Sequence, residues 1–102
     1  DDLQLLAKDT RTLYGAEAKY LVALQWYNAG NYASAEKEIL NFIDQSTPHA
    51  YWLARSFILL SDVYVAMDKK LDARQYLLSL QQNYQADDDI ASMINERLEK
   101  LK

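Results

Sequence analysis

The chain has 102 residues, half of them apolar, a quarter charged and 12% aromatic. This is the make-up of one folded domain and excludes a disordered segment. A net charge of −4 excludes general attraction to nucleic acid or anionic membrane. Two Gly and one Pro are too few for all-β folds, and the absence of Cys removes disulfides and thiolate chemistry while leaving the redox compartment open.

Residues 1–12 come first, where Leu3, Leu5 and Leu6 read as a partial N-terminal helix ending near Thr10-Arg11-Thr12, the tail of an earlier unit. The opening Asp1-Asp2 carries neither Met nor the basic stretch of a signal peptide, so the chain reads as a segment cut from a longer protein. From about Ala16 to Ala29 a helix carries Val22, Ala23, Trp26 and Ala29 on one side and Tyr20, Leu24 and Tyr27 on another. A stripe that wide means burial on more than one face. Gly30-Asn31 ends it, Gly in the left-handed conformation and Asn as cap of the next helix. That helix carries Tyr32, Ala35, Ile39, Phe42 and Ile43 on a single stripe and stops before Ser46-Thr47-Pro48, where Thr47 can cap and Pro48 suits a first turn.

The same unit then recurs. Val22 matches Leu60, Ala23 Ser61, Trp26 Tyr64, Ala35 Ala73, Ile39 Leu77 and Leu40 Leu78, each pair 38 residues apart with no gap. Residues 16–46 form the first copy and residues 49–84 the second, with its turn near Asp68-Lys69-Lys70. Asp87-Asp88-Asp89 opens a last helix over residues 88–102. Its stripe of Ile90, Met93, Ile94, Leu98 and Leu101 is narrow and its other face charged, as suits the cap of an open stack. The longest apolar run of the second half, Phe57-Ile58-Leu59-Leu60, is far short of a membrane span, and no direct membrane insertion is expected.

These residues resemble the tetratricopeptide repeat family, whose pattern is W-x2-L-G-x2-Y, A-x3-F and P over about 34 residues. The first copy offers Lys19-x2-Val22-Ala23-x2-Trp26, Ala35-x3-Ile39 and Pro48; the second offers Phe57-x2-Leu60-Ser61-x2-Tyr64 and Ala73-x3-Leu77. Lys19 departs from the opening aromatic, and the longer period places extra residues between units, around Gln45 to Tyr51. The resemblance implies an all-α, α-solenoid fragment of two helix-turn-helix repeats with flanking and capping helices. The stretch from Thr47 to Arg55 and the Asp-rich entry to the last helix are similar to bacterial cell-envelope members, which implies a periplasmic or outer-membrane-associated setting.

Small residues at Ala23, Ser61, Ala35 and Ala73 let helices approach closely, and Trp26, Tyr64, Ile39 and Leu77 fill the gaps beside them. Enlarging Ala35 is expected to cost about 1–3 kcal/mol and Trp26→Ala about 3–5 kcal/mol. The family likeness further implies that the first helix of each unit lines a concave face that takes extended or helical peptides. By position the lining is Glu17, Tyr20, Leu24, Tyr27 and Asn28 from the first copy, and Arg55, Ile58, Asp62 and Val65 from the second. The competing reading is that these side chains pack against the last helix or another repeat. Lys and Asn that grip a peptide's terminal carboxylate in one family subset are absent, since Tyr20, Leu24 and Leu59 hold those places.

The other chemistry-bearing groups read as structural. His49 has Ser46 and Thr47 beside it but no acid to orient it and no oxyanion site, so it belongs to a capping loop. The Asp87 to Asp89 run lacks the spaced ligands and turn Gly of a calcium loop and reads as a solvated helix start. Glu36, Lys37 and Glu38 read as an exposed face. The expectation is a non-catalytic scaffold with no cofactor or metal, binding a partner protein or peptide on its concave face and no nucleic acid. The alternative is a structural segment of a longer solenoid whose groove is filled by its own chain or by self-association.

Overall fold

Two turns of one geometry organise the chain. The backbone enters the left-handed region at Gly30, φ 80°, and 38 residues later at Asp68, φ 61°. At the first turn the Gly30 N–H donates to the Tyr27 carbonyl at 3.0 Å and the Asn31 N–H to the Trp26 carbonyl at 2.9 Å. At the second, Asp68 donates to Val65 at 3.1 Å and Lys69 to Tyr64 at 2.7 Å. This bond pair is the Schellman closure of a helix C-terminus. A side chain at the left-handed position costs about 1–2 kcal/mol, and Asp tolerates it better than most. Asp68→Gly is therefore expected to raise stability by about 0.5–1 kcal/mol. Gly30→Ala, whose new Cβ meets nothing within 4 Å, suffers backbone strain alone and is expected to lose about 1–2 kcal/mol. Thermal unfolding of the two variants checks the pair of signs.

The computed structural model describes residues 13–45, 49–86 and 88–101. Five helices occupy them: α1 Leu13–Asn28, α2 Tyr32–Asp44, α3 Ala50–Ala66, α4 Lys70–Asn83 and α5 Ile90–Lys100. No strand occurs among the described residues, so the fold is all-α. The expected helical tail in residues 1–12, the Ser46-Thr47-Pro48 connection and Asp87 lie outside the described residues. Asn31 caps α2 as expected, its Oδ1 accepting from the Ser34 N–H at 3.4 Å. His49 is the residue before α3, and its side chain does not cap that helix.

Close backbone approach is confined to helices one or two apart in chain order: α1 with α2, α2 with α3, α1 with α3, α3 with α4, α4 with α5 and α3 with α5. The result is a flat body of 39 × 31 × 19 Å. Ala23, Ser61, Ala35 and Ala73 are all buried, as their small size at the helix seams requires. The Ser61 hydroxyl donates to the Ile58 carbonyl at 2.6 Å, so its burial leaves no polar group unsatisfied. Ile39 and Leu77 fill the seams beside them.

Two expectations need correction. Trp26 is 37% exposed, whereas its counterpart Tyr64 is 8% exposed, so Trp26 does not fill the seam. The cost of Trp26→Ala falls accordingly, to about 1–2 kcal/mol. Glu38 is not a bare solvated acid, because it pairs with Lys19 at 2.7 Å across α1 and α2. At the equivalent positions of the second copy Phe57 stacks on Tyr76 with ring centres 6.0 Å apart. An ion pair thus stands where the other unit has an aromatic pair, which accounts for Lys19 departing from the repeat pattern.

The last helix closes the stack on one side. Ile90 and Ile94 are buried in a cluster with Ala54, Ile58, Leu77 and Leu80. Arg97 and Lys100 stand in its last turn, where the helix dipole favours cations. No helix among the described residues is long and apolar enough to cross a membrane.

Candidate binding face

The residues expected to line a groove divide into three sets. Tyr20 and Leu24 belong to the joint between α1 and α3: Tyr20 is buried, its ring 5.6 Å from that of Trp52, and Leu24 packs against the same cluster. Arg55, Ile58 and Asp62 face the last helix and its entry. Glu17 is half-buried on α1, Asn28 is exposed at its end, Tyr27 is half-buried, and Val65 is exposed.

The second set is held tightly. α3 carries two charged residues, Arg55 and Asp62, in an otherwise apolar or neutral helix. Asp62 accepts two hydrogen bonds from Arg97 of α5, Nε at 2.9 Å and Nη2 at 3.0 Å. The Arg97 Nη1 also donates to the Met93 carbonyl at 3.3 Å. A planar guanidinium gripping both carboxylate oxygens fixes direction as well as distance. Ile58 sits under Ile90 and Ile94 and is fully buried.

Arg55 lies among three rings, its guanidinium carbon 5.2 Å from the centre of Tyr20, 5.8 Å from Tyr51 and 6.0 Å from Trp52. Its Nη1 donates to the Tyr51 hydroxyl at 2.9 Å and its Nη2 to the Tyr20 hydroxyl at 3.3 Å. The Tyr51 hydroxyl in turn donates to Asp89 at 2.9 Å, and Asp89 approaches Arg55 at 3.8 Å. Burial works against the Arg55 charge, but the hydrogen bonds to Tyr51 and Tyr20 outweigh it, so its pKa stands above the ordinary value. The buried Nε makes no hydrogen bond.

The acidic entry to α5 is therefore structural rather than merely solvated. Asp89 ties to α3, while Asp88 accepts from the Tyr84 hydroxyl and from the Ile90 N–H at 2.9 Å. Burial and the Asp88 carboxylate push the Tyr84 phenol up to about 12. Tyr27 and Tyr64 are raised as well, in both cases chiefly by burial. A phenol whose folded pKa is raised stabilises the fold fully below its unfolded pKa of about 10 and loses that contribution as pH rises beyond it. Melting temperature is thus expected to hold to about pH 9 and fall between pH 10 and 12, with Tyr84→Phe flattening part of the fall.

What remains open is the far end of the face. A cavity of about 390 Å³ there is lined by Tyr27 from α1, Ser61, Asp62 and Val65 from α3, Lys70 and Leu77 from α4, and Glu96, Arg97, Lys100 and Leu101 from α5 and its end. Among the described residues no group of three His, Cys, Asp or Glu is placed to hold a metal ion. Arg97, Asp89, Tyr51 and Trp52 were not among the expected lining. The signal that points to Arg97 is Asp62 itself, a lone acid on an apolar helix that needs a cation. Compared with family models, with curated proteins and with solved structures, the chain gives no significant match.

Proposed function

We propose that the protein is a non-catalytic binding module built from two stacked helix-turn-helix repeats of tetratricopeptide type, with α5 as the cap. The matching turns at Gly30 and Asp68 and the packing of helices one or two apart in chain order support this architecture. Its ligand is a segment of another protein, bound at the end of the face where Tyr27 and Val65 stand.

One observation carries the reading. Of the expected lining, Arg55 and Ile58 are covered by the chain itself and Asp62 is tied to Arg97 at the cavity's edge, whereas Val65 stays 38% exposed beside the open cavity that Tyr27 also borders. Apolar groups left facing solvent in a concavity favour a partner's apolar side chain. The test is capture from a native extract of the source cell with the wild-type chain and with Tyr27→Asp/Val65→Asp, helicity being checked by circular dichroism. A partner held by the wild type and lost with the folded variant is the expected result. Equal capture by both baits would contradict it.

A second reading, a segment of a longer solenoid, draws on a different observation. Leu59 and Tyr64, which α3 buries against the first unit, are 3% and 8% exposed; their counterparts Leu21 and Trp26 on α1 are 36% and 37% exposed. The same face is thus covered in one unit and uncovered in the other, as fits a surface that receives a further helical hairpin. Self-association at high concentration that Leu21→Ser/Trp26→Ser abolishes would favour this reading, and a strict monomer would count against it; analytical ultracentrifugation separates the two.

A further inference from the structure

We propose that the cavity between the ends of α3 and α5 and the start of α4 binds an acidic peptide segment, seating one apolar side chain on its floor and one carboxylate between Lys70 and Lys100. The proposal rests on the binding-module reading above and gives it a ligand chemistry.

The floor is apolar: Leu77 is buried, and Val65, Leu101 and Tyr27 flank it. At about 390 Å³ the space lies near the lower end of ligand pockets, which run from about 300 to 1,000 Å³. That suits one large side chain and its neighbour, not an extended cofactor.

The rim selects the charge. Lys70, Arg97 and Lys100 face Asp62 and Glu96, which leaves one positive charge in excess on a chain of net charge −4. The excess is not spread evenly. Asp62 is taken up by the two-pronged bond to Arg97. Glu96 reaches Lys100 at 3.7 Å, with both side chains mostly exposed. Lys70 has no carboxylate partner among the described residues.

Its position adds a second argument. Lys70 opens α4 directly after Lys69, which supplies no side-chain cap. The Lys69 ammonium lies over the Tyr64 ring at 5.7 Å, and Asp72, the acid of the first turn, lines a separate cavity, so it is Lys70 that adds its charge to the positive end of the helix dipole beside this one. An anion seated in the cavity meets both the Lys70 ammonium and the positive end of the dipole. A long polyanion does not fit, because the acidic remainder of the surface repels it. A short segment with an aromatic or aliphatic residue next to an Asp or Glu satisfies both floor and rim.

The test is a titration of the 15N-labelled chain, followed by amide NMR shifts, with the peptide Ac-Phe-Asp-Asp-NH2 and its neutral counterpart Ac-Phe-Asn-Asn-NH2. The expected result is shifts centred on Val65, Lys70, Leu77 and Leu101, with the acidic peptide binding about tenfold more tightly at low salt. Lys70→Glu/Lys100→Glu, with unchanged helicity, is expected to abolish that preference. Equal affinity for the two peptides, shifts centred elsewhere, or no shift at millimolar peptide would overturn the proposal. If the peptides fail while Tyr27→Asp/Val65→Asp still loses a captured partner, the ligand chemistry is wrong and the binding module stands. If that capture fails too, the module reading falls with it.

Discussion

Replacing Ile58 by alanine is expected to lower the stability of the protein by about 2–5 kcal/mol and to loosen α5 before the rest of the chain. Ile58 is fully buried and shares its cluster with Ile90 and Ile94 on one side and Leu77 and Leu80 on the other. Truncation removes apolar surface from the point where three helices meet, and the space left behind cannot close without moving α5 off α3. Urea unfolding gives the size of the loss. A variant that unfolds within about 1 kcal/mol of the wild type would mean that α5 contributes little to the core.

The second large effect concerns Asp62. Asp62→Ala is expected to cost about 1–3 kcal/mol, because Arg97 loses both of its carboxylate bonds while its side chain remains three-quarters covered. The figure is below that of a fully buried pair, since a quarter of each side chain still reaches water. Arg97→Met on its own keeps the chain's apolar stem over α3 and strands the half-buried carboxylate instead. The double variant should recover most of the loss, since neither charge is then left without its partner. A double-mutant cycle by urea unfolding measures the coupling, and additivity of the two single losses would show that the pair is not a unit.

Most of the architecture was legible because the helices announce their ends. Gly30-Asn31 stops α1 and caps α2, and Ala35 and Ala73 mark the seams by size alone. The 38-residue offset placed the second turn near Asp68-Lys69-Lys70, but that Asp68 itself takes the left-handed conformation was not legible, since no Gly signals it. Trp26 was misplaced for a physical reason: the repeat equates it with Tyr64, but the α1 face it occupies has no neighbour to bury it among the described residues. Pattern matching reports what a position is suited to, not whether its partner is present.

The candidate face was legible only in part. The family likeness put Arg55, Ile58 and Asp62 together on one side of α3, yet could not say which element that side meets. The side meets α5 and its entry, through Arg97, Asp89, Ile90 and Ile94. Contacts between residues 35 or more apart depend on how helices cross, which a single sequence does not encode in any local signal. The acidic run before α5 was undervalued for the same reason: solvated in isolation, Asp88 and Asp89 find tyrosine hydroxyls once the helices are in place.

If α5 is a fixed part of the fold, the proposed ligand meets the Tyr27 and Val65 end and not the surface beneath this helix. Amide hydrogen exchange of the isolated wild-type chain tests that condition most directly. Amides through the middle of α5, around Ile94 to Leu98, are expected to be protected to the same free energy as those of α3 around Leu59 to Val63, opening only with the whole molecule. Free exchange across α5 while α3 stays protected would contradict it. The helix would then be a displaceable cover, and Arg55, Ile58 and Asp62 would be the binding residues after all.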